Sequence, residues 1–409
     1  MSFDFSAFLR PDLPPPAQRW SAFPEYNFVG GHNDVAGVPV ADLAAAAHQV
    51  LSREGATLAT YGLESGPQGY RALREFVAAK LKARAGLACS ADEILITSGS
   101  LQALELVNAL LLEPGDTVIV EAATYGGALM RLRKLGVAYV GVDLDQDGMR
   151  PEALAQVLEE LEGRKQKAKF IYTIPTVQNP TGTVMSLERR QALLELARAH
   201  DVPVFEDDCY ADLLWQGPRP PAIRALDDGG GQVIYCGSFS KSIAPALRLG
   251  YIVADWPVMS RLLPLKTDGG TGALEQMVLA EYAGDRFDNH VAALQHTLRG
   301  KCDTIMAALE EQFGATAEFT APLGGIFIWI TLPDEVDTNQ LAQAALAEGV
   351  ALNPGAEWMA DAAAGRRRLR LCFANPSEDS IRDGVARLAE ICHREFGVPE
   401  RSANVARDV

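Results

Sequence analysis

Residues 232–254 read QVIYCGSFSKSIAPALRLGYIVA: two apolar runs, QVIYCGS and LGYIVA, joined by small residues that carry Lys241 and Arg248. Near-continuous apolar runs of this length are the mark of strands buried on both faces. The same kind of run recurs upstream as EILITSG (93–99), DTVIVE (116–121), KFIYTIP (169–175) and VPVFEDD (202–208). Helix-period segments such as LERRQALLELARAH (187–200) separate them. The alternation predicts an α/β fold: a large domain with a mostly parallel sheet covered by helices on both faces, all these runs being candidate parallel strands. After residue 286 the pattern changes to a long helical segment, then GGIFIWITL (324–332), a helix near NQLAQAALAEG (339–349), RRLRLCFA (367–374) and a final helix. That mixture predicts a smaller α+β domain. The expected division is 1–45 as an N-terminal arm and part of the small domain, 46–285 as the large domain, and 286–409 as the small C-terminal domain.

A length of 409 residues leaves room for two or three domains. With 48% hydrophobic and 22% charged residues the composition is that of an ordinary soluble globular protein. A formal net charge of −16 would repel a phosphate backbone, so nucleic acid is excluded as a partner. The six cysteines form no CxxC pair, which argues against a disulfide framework and a zinc ribbon and for a reducing cytoplasm. The first twenty residues carry acids and prolines where an export signal needs a basic start and an apolar run. The most apolar segment is read as APLGGIFIWITLP (321–333), too short and too broken by Gly and Pro to cross a membrane. DLDQDG (143–148) opens like a calcium loop, but Leu154 stands where a bidentate Glu is needed, and a turn is expected. His290 and His296 are spaced wrongly for a ligand pair on one helical face, so no metal is expected.

In an open α/β sheet the residues that follow each strand converge on one crevice. After EILITS come Gly99, Ser100, Leu101 and Gln102, opening a helix whose free N–H groups suit a phosphate. After DTVIVE comes Tyr125; after KFIYTIP, Asn179; after VPVFE, Asp207 and Tyr210; after QVIYCG, Ser238, Ser240, Lys241 and Arg248. An acid, a phenol, an amide, a phosphate cradle and a lysine are together what pyridoxal 5'-phosphate requires. Lysine bonds a carbonyl only as the neutral amine, and burial beside another cation such as Arg248 lowers its proton affinity. A buried carboxylate, Asp207, must face the pyridine nitrogen to keep it protonated. Tyr210 and Asn179 can bond the phenolate oxygen, and Ser238, Ser240 and Arg248, with the helix at Ser100, can hold the phosphate. Tyr125 can stack on the ring, or simply be core. Taken singly, Asp207 also suits a helix cap and Asn179 before Pro a turn.

In order and spacing, YNFVGGHND (26–34), YGLESGPQGYRALREFV (61–77), QNPTG (178–182), DDCY (207–210), SFSKSIAPALRLGY (238–251) and RLRLCFA (368–374) resemble a pyridoxal-phosphate aminotransferase of the aspartate-aminotransferase fold (fold type I). Within that superfamily the chain is most similar to the branch holding 2-aminoadipate and kynurenine aminotransferases and the MocR-type regulators. The resemblance implies that Lys241 is the covalent anchor and Asp207 the partner of the pyridine nitrogen. It implies further that Asn179 and Tyr210 contact the phenolate oxygen, and that Ser238, Ser240 and Arg248 hold the phosphate with Ser100, Leu101 and Gln102. It makes Tyr125 the stacking aromatic, Arg370 the clamp for the substrate α-carboxylate, with Arg368 on the same strand face as the alternative, and Gly31 part of a loop that closes over the substrate. Tyr61 matches a residue that reaches a neighbouring subunit's cofactor, implying a homodimer with shared sites. The loop KTDGGTGALEQ (266–276) and the proline-rich arm depart from the family pattern.

The expected activity is transfer of an amino group from an L-amino acid to a 2-oxo acid, 2-oxoglutarate or pyruvate, in a ping-pong sequence. A β-lyase on a cysteine-like substrate is the first alternative, because the cofactor stabilises any carbanion and the protein only selects the bond. A non-catalytic sensor is the second; the short acidic and proline-rich arm, where such regulators carry a basic helix-turn-helix domain, argues against it.

Overall fold

The structure, a computed structural model, describes residues 3–11, 13, 16–17, 19–20 and 22–399; the ends of the expected 1–45 and 286–409 segments lie outside them. Each apolar run forms a strand, and the sheet gains one edge strand that no run announced, Ala138–Val142: β1 Ile94–Ser98, β2 Thr117–Glu121, β3 Ala138–Val142, β4 Ala168–Thr173, β5 Val204–Asp207, β6 Val233–Ser238 and β7 Leu249–Val253. They make one sheet in the order β1-β7-β6-β5-β4-β2-β3. Alternate residues face opposite apolar layers. Leu95, Val118, Phe170, Phe205, Ile234 and Ile252 pack on one side, and Ile94, Ile96, Tyr235, Tyr251 and Val253 on the other. Burial on both faces explains why these strands read as continuous runs; a fully buried Phe205 alone contributes about 2–3 kcal/mol.

One expectation is corrected. The run LGYIVA forms β7, which is antiparallel to both neighbours, β6 and β1, not parallel. The physical reason lies in its connection. A parallel return needs a crossover of a dozen or more residues, whereas the link from β6 holds only the short 3-10 turn Pro245–Leu247. The reversal matters to the site, because the start of β7, with Arg248, lies at the edge where β1 and β6 end. Close approach there requires glycine: a Cβ on Gly250 would sit 2.7 Å from the Gly99 carbonyl carbon and 2.8 Å from the Ser100 nitrogen. The helix Ser100–Leu111 therefore starts directly over β7.

The C-terminal part is built on β8 Phe327–Thr331 paired antiparallel with β9 Arg368–Cys372. A 40-residue helix, Ala273–Gln312, joins it to the large sheet and runs through the expected 285/286 division without a break. The arm enters through Tyr26–Asn27, paired with Val350–Ala351. DLDQDG is a turn between the short strands Leu144–Asp145 and Gly148–Met149. Among the described residues, Val35–Ala59 is a helical stretch long and apolar enough, by length and composition alone, to cross a membrane, an 18-residue window of it having mean hydropathy 1.2. Within it the helix Val40–Glu54 packs along Ala273–Gln312 with ion pairs Arg53–Glu281 (2.8 Å) and Asp42–Arg286 (3.5 Å).

Candidate active site

The carboxyl ends of β1, β2, β4, β5 and β6, with the amino end of β7, open on a cavity of about 560 Å³. That volume is within the range of small-ligand sites. Of the residues singled out from sequence, Gly31, Ser100, Leu101, Tyr125, Asn179, Asp207, Tyr210, Ser238, Ser240, Lys241, Arg248 and Arg370 all line it. They come from positions far apart in the chain.

One end of the cavity is a cradle of donors. The helix Ser100–Leu111 begins after Gly99, which has φ +74°, and no side chain caps its first turn. Its free N–H groups and positive dipole end favour an anion. A Cβ on Gly99 would overlap the Arg248 guanidinium, which donates to Ser98 O (3.1 Å) and Pro245 O (3.1 Å) and so is held against the helix start. Ser238 and Ser240 are buried beside it, with Ser240 N donating to Ser238 Oγ at 3.1 Å.

Asp207 ends β5 at the middle of the sheet and is almost fully buried. Its Oδ2 accepts from the Tyr172 hydroxyl at 2.7 Å, and its Oδ1 has no partner. Burial raises its pKa, while hydrogen bonds from Cys209 and Tyr172 pull it down. The Asn179 amide donates to the Tyr210 hydroxyl at 3.3 Å. Lys241 Nζ donates to Gly31 O at 2.6 Å and lies 6.0 Å from the Tyr210 ring. Burial first, then the charges of Arg370 and Arg248, hold its ammonium below the ordinary lysine range. A larger share of neutral amine at pH 7 is the consequence. Tyr125 folds back over Gly127, where a Cβ would meet its ring at 2.5 Å.

Arg370, on β9, is 3% exposed and forms no ion pair with a carboxylate among the described residues. Its acceptors are neutral: Asn179 Oδ1 (3.0 Å), Asn353 Oδ1 (2.9 Å) and Gly30 O (2.8 Å). Its guanidinium lies between Trp358, at 3.8 Å, and Phe327, at 5.0 Å from the ring centroids. A buried charge whose hydrogen-bond acceptors are all neutral is expensive unless an anion joins it, and the Glu357 carboxylate, which lines the same cavity, acts on it only from beyond ion-pair distance. Arg368, the alternative clamp, points elsewhere: it reaches Met359 Sδ at 3.6 Å and lines a separate depression with Tyr139 and Trp329.

Two residues singled out earlier stand outside the cavity lining. Gln102 accepts from Ser98 N (2.8 Å) and donates to Asp268 (2.6 Å), tying the end of β1 to the 266–268 loop. Tyr61 is 91% exposed and lies in another groove, with Gly269 alongside. Conversely, sequence reasoning passed over Trp358, Asn353, Tyr172 and Glu121. Glu121 had a signal, a carboxylate ending the apolar run DTVIVE; it is fully buried, and burial lifts its pKa to about 7. Among the described residues one group has metal-sized spacing, Asp207, Cys209 and Cys236, with ligand atoms within 4.8 Å of one another. Both thiols are raised in pKa, Cys209 first by its hydrogen bond with Cys236 and Cys236 by burial, which keeps them protonated and poor ligands.

The donor set fits pyridoxal phosphate: one cavity holds an anion cradle, an amine of lowered proton affinity and a buried carboxylate oxygen lacking a partner. Known proteins point the same way. The family profile "Aminotransferase class I and II" matches residues 30–388. An aromatic-amino-acid aminotransferase of Thermococcus litoralis is 36% identical over 88% of this chain and 85% of its own. A 2-aminoadipate transaminase of Thermus thermophilus is 33% identical over 88% of both chains. The crystal structure of Pyrococcus horikoshii kynurenine aminotransferase, in complex with PMP, superposes with a TM-score of 0.85 at 36% identity over 90% of this chain and 91% of that one. This chain belongs to the class I and II aminotransferases.

Proposed function

We propose that the chain moves an amino group from an L-amino acid to a 2-oxo acid with pyridoxal 5'-phosphate held in the central cavity. The observation that carries this reading is Asp207, a buried carboxylate with Oδ2 bonded by Tyr172 and Oδ1 free to hold a pyridine N–H. When bound, the cofactor supplies an electron sink for the pair left as a proton leaves the substrate α-carbon. Ser100, Leu101, Ser238, Ser240 and Arg248 would hold its phosphate, Lys241 would anchor it, and Asn179 and Tyr210 would bond its phenolate oxygen. Tyr125 would cover the ring face.

Arg370 holds the α-carboxylate that donor and acceptor share, its fork matching the planar anion. Lys241 Nζ, neutral enough to act as a base, would take the proton from the substrate α-carbon and deliver it to the cofactor carbon on the other side of the substrate nitrogen. Water would then supply the oxygen of the departing oxo acid while the amino group stays with the cofactor, and a second oxo acid would run the same proton path backwards, which makes the sequence ping-pong. The loop at Gly31, whose carbonyl Lys241 touches, closes the site.

Two copies sharing their sites are part of the same reading. Tyr61 is an exposed aromatic on a groove lined by Leu58, Leu63, Tyr70 and Leu263, a surface suited to a second copy. All six cysteines are free thiols, which suits a reducing cytoplasm.

The test is a visible spectrum of the purified protein titrated with amino acids, with and without a 2-oxo acid. Loss of the cofactor's visible band on adding a donor, restored by an acceptor, supports transfer. Release of ammonia and pyruvate indicates the lyase instead, and a protein that binds no chromophore refutes the reading.

A further inference from the structure

Glu121 ends β2 with both carboxylate oxygens buried and engaged. Oε1 accepts from Thr173 Oγ1 at 2.7 Å and from Ile174 N at 3.3 Å; Oε2 accepts from Ile174 N at 3.2 Å and from Gln178 Nε2 at 2.9 Å. Gln178 is thus gripped at the residue just before Asn179. Its amide also donates to Ala123 O at 2.6 Å, and its Oε1 accepts from Thr181 N (2.9 Å) and Thr181 Oγ1 (2.8 Å). One carboxylate therefore ties together the segments leaving β2 and β4, which carry Tyr125 and Asn179 to opposite parts of the cavity. Asn179 in turn accepts from Arg370 (3.0 Å) and donates to Tyr210 (3.3 Å).

We propose that Glu121 is a positioning residue for amino transfer, which through Gln178 fixes Asn179 and so sets the placement of the Arg370 fork and the Tyr210 hydroxyl. The proposal rests on the roles assigned above to Asn179 and Arg370. Glu121 does not line the cavity, and its link to Asn179 runs through the Gln178 side chain, beside its bond to the backbone of the cavity residue Ile174. A buried carboxyl group bonded to three donor groups is a rigid joint, because releasing any of them leaves an unpaired group away from water. The alternative, that Glu121 only stabilises the fold, predicts no particular coupling to Asn179.

The experiment is a double-mutant cycle on the pyridoxal-phosphate-loaded enzyme with Glu121→Gln, Asn179→Ala and the pair. Steady-state kcat and KM are read for donor and acceptor, and the pH midpoint of the visible band is read without substrate. Glu121→Gln should lower kcat/KM about tenfold, the scale of one weakened buried hydrogen bond, and shift the band midpoint in the same sense as Asn179→Ala. In the double variant its further effect should fall to less than about twofold, since the residue it positions is gone. Gln178→Ala, which leaves Glu121 bonded to Thr173 and Ile174, should behave like Glu121→Gln, and it carries the test if the latter does not fold. Multiplicative losses in the double variant, or an unmoved band midpoint in folded Glu121→Gln or Gln178→Ala, would overturn the proposal. An Asn179→Ala enzyme with unaltered kinetics and spectrum would instead overturn the reading on which it rests.

Discussion

Replacing Arg370 by lysine isolates the fork from the charge. In the structure the guanidinium is held by Asn179, Asn353 and Gly30 through Nη1 and Nη2, between the rings of Trp358 and Phe327. A carboxylate meeting that fork accepts two charge-assisted bonds, about 1.5–3 kcal/mol each. Lysine keeps the positive charge and one bond but cannot present two parallel donors, so the net loss is about 2–3 kcal/mol, or about 30- to 160-fold in kcat/KM. The α-carboxylate is common to donor and acceptor, so both half-reactions should lose by the same factor. Single-turnover kinetics of each half-reaction, followed through the visible band, measure this directly. A loss confined to one half-reaction, or one below about threefold in both, would refute the assignment of Arg370 to the shared carboxylate.

Other outcomes follow from the same geometry. Lys241→Ala should lose the absorption band of the lysine-bound cofactor and at least three orders of magnitude in turnover, while its circular dichroism stays native; a retained band would exclude it as the anchor. Tyr172→Phe removes the 2.7 Å donor to Asp207 and should slow the donor half-reaction about tenfold with KM little changed, read by stopped flow; an unchanged rate would count against Asp207 as the ring partner. Burial raises Glu121 from 4.5 to about 7, so the folded chain binds that proton more tightly than the unfolded chain. This stabilisation is complete below pH 4.5 and is lost as pH rises through about 7, on the order of 3 kcal/mol for an isolated group. Urea melts of Glu121→Gln should therefore lack that component of the decline; curves parallel to the native protein's would show that the group does not titrate there.

Most of the site was legible because its residues sit just past strands that announce themselves. Asp207, Asn179 and Lys241 each follow an apolar run, and the rule that strand ends converge needs no knowledge of strand order. The order itself was not legible. The direction of β7 depends on a short connection whose return could be judged only once Lys241 was known to lie in a turn. Trp358 and Asn353 were missed because they come from short elements of the C-terminal part with no period to mark them: Trp358 ends a four-residue 3-10 turn, and Asn353 lies in the two-residue strand Asn353–Pro354, which meets Arg370 only by pairing with β9. Tyr172 and Glu121 were hidden differently: each is part of an apolar strand, where a polar side chain reads as an exception until its partner across the sheet is seen. The split between Arg368 and Arg370 could not be made from alternation, since both share a strand face; the stacking of Trp358 on Arg370 separates them.

The buried charge at Arg370 also makes this protein responsive to its solvent. Any small carboxylate able to enter the cavity relieves a buried cation, and binding only to the folded state raises the melting temperature with the logarithm of ligand concentration. Acetate, citrate and succinate are then not inert buffers for this chain but weak occupants of the seat proposed for its substrates, and apparent KM values measured in them should be inflated. The same sensitivity is useful. A melting-temperature screen of 2-oxo acids in a carboxylate-free buffer would rank acceptors by how well the rest of each molecule fits, before any turnover assay is built.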